Sequence, residues 1–169
     1  MNTGLLILRL VVGLGLAAHG AQKLFGWFGG HGLGGTGRFL EGLGFRPGRS
    51  FALLAGLAEF SGGLMTALGL FGPIGPALGI VVMVVAMVTV HIDNGFFVEQ
   101  NGVERPLLYA AGAAAITLTG SGTHSLDGWL GLAGPWGLQS GMIALALGIL
   151  IGVGSLALRR HGLQRTQKV

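Results

Sequence analysis

The sequence predicts an all-α protein, a polytopic bundle of transmembrane helices, and three observations carry that prediction. Five stretches, residues 4–24, 50–71, 74–90, 106–119 and 138–158, are almost purely apolar and hold only Arg9, Lys23 and Glu59 as charged side chains. The chain is 51% hydrophobic and 9% charged, with a mean hydropathy of +0.72, far from the balance of a soluble domain. The alternating pattern of a membrane barrel is absent, so each stretch must satisfy its backbone internally, as a helix.

At about 1.5 Å per residue, roughly 20 apolar residues cross a hydrocarbon core of about 30 Å. The first, second and fifth stretches reach that length; the third and fourth are shorter and are extended by polar ends at the interface. The first stretch lacks a basic region ahead of its apolar run and carries Arg9, His19, Gln22 and Lys23 at helical spacing, so it reads as retained rather than cleaved. The glycine-rich loop 25–49 has no Gly-Lys-Ser/Thr ending and follows no strand, which removes a phosphate-loop reading. Its Phe25, Trp27 and Phe28 instead form an aromatic anchor where the first helix leaves the bilayer, and residues 36–43 suit a short interfacial helix. Pro73 and Pro76 flank the tight turn into the third span, where proline is tolerated. Thirty-five glycines would weaken soluble helices by roughly 1 kcal/mol each against Ala, but in lipid they let helix backbones approach closely.

Lys and Arg in short loops set the orientation. With five spans and an external N-terminus, the cytoplasmic side holds Lys23, Arg38, Arg46, Arg49, Arg105, Arg159, Arg160, Arg165 and Lys168, while the external loops hold none. A four-span alternative with a peripheral last segment strands four bases outside. The basic C-terminal tail is then expected in the cytoplasm, near anionic headgroups. Bases confined to loops present no face for nucleic acid, so the expected surroundings are the lipid bilayer, partner proteins and further copies of the chain. Cysteine is absent, which excludes thiol chemistry within the chain.

Ionisable groups inside the spans are the sharper signal, because each costs about 2.5–3.5 kcal/mol to insert. Arg9 and Glu59 sit on antiparallel neighbouring spans at depths that permit an interhelical ion pair. At the cytoplasmic mouth, His19, Gln22 and Lys23 share one helix face. The third span ends at His91 and Asp93, and the fourth begins with Glu104 and Arg105 and reaches Tyr109 one turn later. The candidate ligand-binding set is therefore His19, Lys23, Glu59, His91, Asp93 and Tyr109. A metal is not expected, since His19, His91 and Asp93 lack a chelating spacing on one helix. Two readings stay open for this set: a quinone or small-acid site, in which histidine and lysine donate to an oxygen, and a network that only satisfies helix ends.

The strings Leu8-Arg9-Leu10, Ala18-His19-Gly20-Ala21-Gln22-Lys23-Leu24-Phe25-Gly26, Ala55-Gly56-Leu57-Ala58-Glu59-Phe60-Ser61-Gly62-Gly63 and Thr89-Val90-His91, with Asn94-Gly95-Phe96-Phe97 and the closing Ser125-Leu126-Asp127, resemble the DoxX family of bacterial membrane proteins. The resemblance spans about residues 5–127. It implies a compact core of four helices over residues 1–127, with Arg9, His19, Lys23, Glu59 and His91 on the family's polar positions. Residues 128–169 then add a fifth C-terminal span and a basic tail, a departure from the four-span pattern. Some relatives are described as a subunit of a thiosulfate:quinone oxidoreductase, others as the membrane partner of a complex joining superoxide dismutase to a sulfurtransferase. The implied role is thus a membrane subunit or partner in quinone-linked redox or sulfur metabolism, with quinone as the implied cofactor and no particular reaction assigned. The competing expectation is a non-enzymatic scaffold or a small-solute carrier, including a proton-coupled one.

Overall fold

The computed structural model describes residues 2–166, with side chains described as far as Arg159; the basic side chains of Arg160 and Arg165, and Lys168, lie outside the described residues. In chain order the helices are α1 (Asn2–Phe25), α2 (Gly32–Gly42), α3 (Gly48–Leu68), α4 (Ile74–Ala86), α5 (Glu104–Thr119), the single turn α6 (Leu126–Trp129) and α7 (Leu138–Thr166), and no strand occurs among the described residues. α1, α3, the Ile74–Asn94 run that continues α4, and Leu138–Arg159 of α7 are long and apolar enough to cross a membrane. α5 has 16 residues, about 24 Å of helix, and falls short of that length. It nevertheless runs from one end of the bundle to the other: the loop before it bonds to Gly95 and Phe96 at the end of α4, and Ser121 just beyond it accepts a bond from Arg9 near the start of α1.

α1 and α3 form the closest contact in the bundle, and small residues permit it. A Cβ at Gly13 would fall 2.6 Å from the Gly63 carbonyl, and one at Gly20 would strike the Phe60 backbone. Facing pairs are Gly13 with Ala67, Ala17 with Gly63, Gly20 with Phe60 and Leu24 with Gly56, so the helices are antiparallel and their facing residue numbers add to about 80. Val12, Leu16, Ile80, Met83, Ala113 and Ile116 from α1, α4 and α5 make the buried apolar core. α7 packs on α4 and α5 through Gly141, Gly148 and Gly152, where an added Cβ would meet Thr117, Ala77 and Val84. Many large apolar side chains, among them Val11, Leu54, Leu108, Leu150 and Ile151, remain exposed around the outside. A bundle with such a surface is solvated by lipid.

The end of α3 shows why the chain turns where it does. Gly69 adopts a left-handed conformation (φ +67°), Leu70 N–H donates to Met65 O at 2.9 Å and Gly69 N–H to Thr66 O at 3.2 Å. This pairing closes a helix on a glycine without a Cβ penalty. A short helix, expected at residues 36–43, is present as α2, starting four residues earlier, with Arg38, Phe39 and Glu41 exposed. One feature is not legible from hydropathy: α4 widens into a π-helical turn over Met87–His91 before ending in a short 3-10 turn.

Candidate functional site

The buried ionisable groups separate to opposite ends of the bundle, and the ion pair expected between Arg9 and Glu59 does not form. In the antiparallel register Arg9 lies level with the end of α3 near Phe71, whereas Glu59 lies level with Ala21. An offset of 12 residues is about 18 Å along the axis, beyond the reach of an arginine side chain. The glycine contacts set the depth of α3 instead, sliding it toward the Lys23 half of α1.

Arg9, 2% exposed, instead closes the other end of the bundle. Its Nε donates to Thr66 O at 3.2 Å, Nη2 to Ala67 O at 3.2 Å and Nη1 to Ser121 O. The first two are carbonyls of the last turn of α3, where a helix leaves acceptors unpaired and favours positive charge. The countercharge is Asp127, fully buried at the start of α6. Its Oδ1 accepts from Phe71 N–H at 2.9 Å and its Oδ2 from Gly72 N–H at 2.6 Å, with Ser121 Oγ donating at 3.4 Å. Phe71 and Gly72 both have positive φ, 58° and 52°, a conformation costing a non-glycine residue about 1–2 kcal/mol. The carboxylate collects the two amide protons that this turn presents. Arg9 and Asp127 thus tie α1, the α3–α4 turn, the end of α5 and α6 together. Asp127 was not among the residues singled out as a site. It is the only acidic residue in the segments at that end, where Arg9 is the only Lys or Arg, a signal that charge balance within a membrane would have supplied.

Glu59, 1% exposed, pairs with Lys23, 28% exposed. One helical turn back along α1, His19 Nδ1 lies 3.0 Å from Gln22 Oε1, and Gln22 Nε2 donates to Phe28 O at 3.1 Å. That second bond fixes the amide, so Oε1 accepts and His19 carries its proton on Nδ1, leaving Nε2 as the free ring nitrogen. Tyr109 of α5 meets the His19 ring edge-to-face at 5.6 Å, and its hydroxyl end occupies the space beside Gly15, where a Cβ would collide with it. His19, Lys23, Glu59 and Tyr109 therefore converge across α1, α3 and α5.

The remaining two members of the expected set lie apart from these four contacts. His91 ends the π-helical turn and donates from Nδ1 to Asn101 O at 2.7 Å, while Asn94 Nδ2 donates to Val90 O at 2.8 Å. Asp93 is exposed, and Glu104 Oε2 accepts from Val98 N–H at 2.9 Å. These bonds close the loop between α4 and α5 upon itself. Among the described residues no three His, Asp or Glu side chains gather as metal ligands.

A family model described as DoxX matches residues 4–92, more than half of the 169-residue chain. The chain belongs to the DoxX family. No curated protein and no solved structure matches it. The matched segment contains Arg9, His19, Lys23, Glu59 and His91, and thus the Lys23–Glu59 pair. Family membership and four apolar helices of spanning length make this DoxX protein a multi-pass membrane protein.

Proposed function

We propose that this DoxX protein is a bacterial inner-membrane subunit of a quinone-linked redox system, with the quinone headgroup held at His19 and Lys23 beside Tyr109. The observation that carries the reading is the Lys23–Glu59 pair, in which Glu59 is buried in the helix contact and Lys23 is part-exposed at its edge, flanked by a histidine whose Nδ1 proton is already committed. Charges at that depth are expensive and are retained where they serve a ligand or a proton. A bound quinone supplies two-electron, two-proton chemistry. The donor set suits its carbonyls: Lys23 has ammonium protons beyond the one directed at Glu59, and His19 Nε2 takes or gives a proton depending on its charge state. Tyr109 supplies an aromatic wall. The N-terminus is outside and the C-terminus cytoplasmic in this reading, since every described Lys and Arg except Arg9 lies at the Lys23 end of the bundle.

A photoreactive quinone analogue in native membranes tests this placement. Labelling should concentrate in peptides covering residues 15–23 and 105–112, and excess ubiquinone or menaquinone should suppress it. Labelling spread evenly over the lipid-facing surface, unmoved by competitor, would overturn it.

A specific observation favours the scaffold reading as the rival: Arg9, His91, Glu104 and Asp127 are all bonded within the chain. On that account the Lys23–Glu59 pair organises the bundle and no quinone co-purifies.

A further inference from the structure

A groove of about 510 Å³ opens between α3, α4 and α7, on a different face of α3 from Glu59, with the α2–α3 connection at one end. Leu54, Ala58, Leu78, Val82 and Ile151 represent its walls, and Phe45 and Leu158 stand at the α2 end. Its two hydroxyls are already committed: Ser61 Oγ donates to Leu57 O at 2.6 Å and Ser155 Oγ to Ile151 O at 2.8 Å. The interior thus offers hydrocarbon contact and no free donor, which suits an aliphatic chain and penalises a polar group.

The α2 end of the groove has the opposite character. Arg159 follows Leu158 and is tied to the α2–α3 connection by its Nε, which donates to Leu43 O at 2.7 Å. One of its five N–H donors is used by that bond. Arg46 follows Phe45, Arg49 lies two residues before Phe51, and both are exposed. Among the described residues the one ion pair is Lys23–Glu59, so these three guanidiniums have no carboxylate partner. Nearby Glu41 directs one carboxylate oxygen to Gly48 N–H at 3.0 Å.

From this juxtaposition we infer a site for one acidic phospholipid, with an acyl chain in the groove and the headgroup phosphate against Arg159 and Arg46. A helix-lined slot open to the bilayer meets acyl chains continuously, and the arginines on residues adjoining its α2 end select a negative headgroup. A quinone satisfies the slot but not the charge, so this site is separate from the one proposed at His19 and Lys23.

Native mass spectrometry of the full chain released from nanodiscs of equal phosphatidylglycerol and phosphatidylcholine tests the inference. One phosphatidylglycerol should be retained per chain, and Arg159→Gln and Arg46→Gln should each lower its preference over phosphatidylcholine about fivefold, the weight of one base near an anionic surface. Ala58→Leu, which fills the groove, should abolish retention of both lipids; Ser155→Leu does the same from the opposite wall if the first variant folds poorly. Equal retention of the two lipids, a preference untouched by both arginine variants, or a quinone retained in their place would overturn it.

Discussion

Removing Lys23 should destabilise the bundle more than removing its partner Glu59, and the asymmetry follows from where each side chain sits. Glu59 is 1% exposed and Lys23 28%. Lys23→Met strands a carboxylate inside the helix contact, a loss of about 3–5 kcal/mol for a broken buried pair. Glu59→Gln leaves an ammonium on a flexible stem that turns toward the headgroups, so the loss falls to about 1–3 kcal/mol. Neutralising both removes the stranded charge, and the double variant should be about 2 kcal/mol more stable than the sum of the singles. Unfolding by SDS titration in mixed micelles, followed by circular dichroism, measures all four states of the cycle. A parallel cycle with Arg9→Leu and Glu59→Gln should be additive to within about 0.5 kcal/mol, because the two positions are some 18 Å apart along the helices. Additivity between Lys23 and Glu59, or coupling between Arg9 and Glu59, would refute the register on which this reasoning stands.

Three further outcomes follow from the same contacts. Asp127→Asn removes the countercharge of Arg9 and weakens the hold on the Phe71 and Gly72 amides; the same titration should show a loss of about 3 kcal/mol. Gly15→Ala drives a Cβ into Tyr109 and should cost about 1–3 kcal/mol, and most of that loss should vanish in a Tyr109→Leu background. His91→Ala breaks the bond to Asn101 and should speed hydrogen exchange in residues 95–103 while leaving the amides of α1 unchanged.

The apolar runs were legible because the bilayer leaves so little choice: a stretch such as 50–71 must be helical, though the helix itself runs Gly48–Leu68, between Pro47 and Gly69. The polar positions were legible as well, since a charge inside a span stands out against its neighbours. Their partners were not, because pairing depends on how far one helix slides along the next, and hydropathy does not record that slide. Glycine contacts set it here, placing Ala17 against Gly63 and Leu24 against Gly56 and so giving Glu59 to Lys23 rather than to Arg9. Asp127 was hidden for a related reason. It lies in the single turn α6 between two spans, where a carboxylate usually faces water, and here that turn is drawn inward by the Phe71 and Gly72 amides that Asp127 binds. The π-helical turn at Met87–His91 left no mark in the sequence pattern, since it adds one residue to a turn without changing which residues are apolar.

Mass spectrometry of organic extracts from gently purified protein tests the proposed quinone role most directly, with wild type compared against His19→Ala, Lys23→Ala and His91→Ala. Near-stoichiometric quinone in wild type, lost in the first two variants and largely kept in the third, is the predicted result, because His91 is committed to its own loop. Well-folded wild-type protein that yields no quinone would contradict the redox reading and leave the Lys23–Glu59 pair as a structural tie within a scaffold.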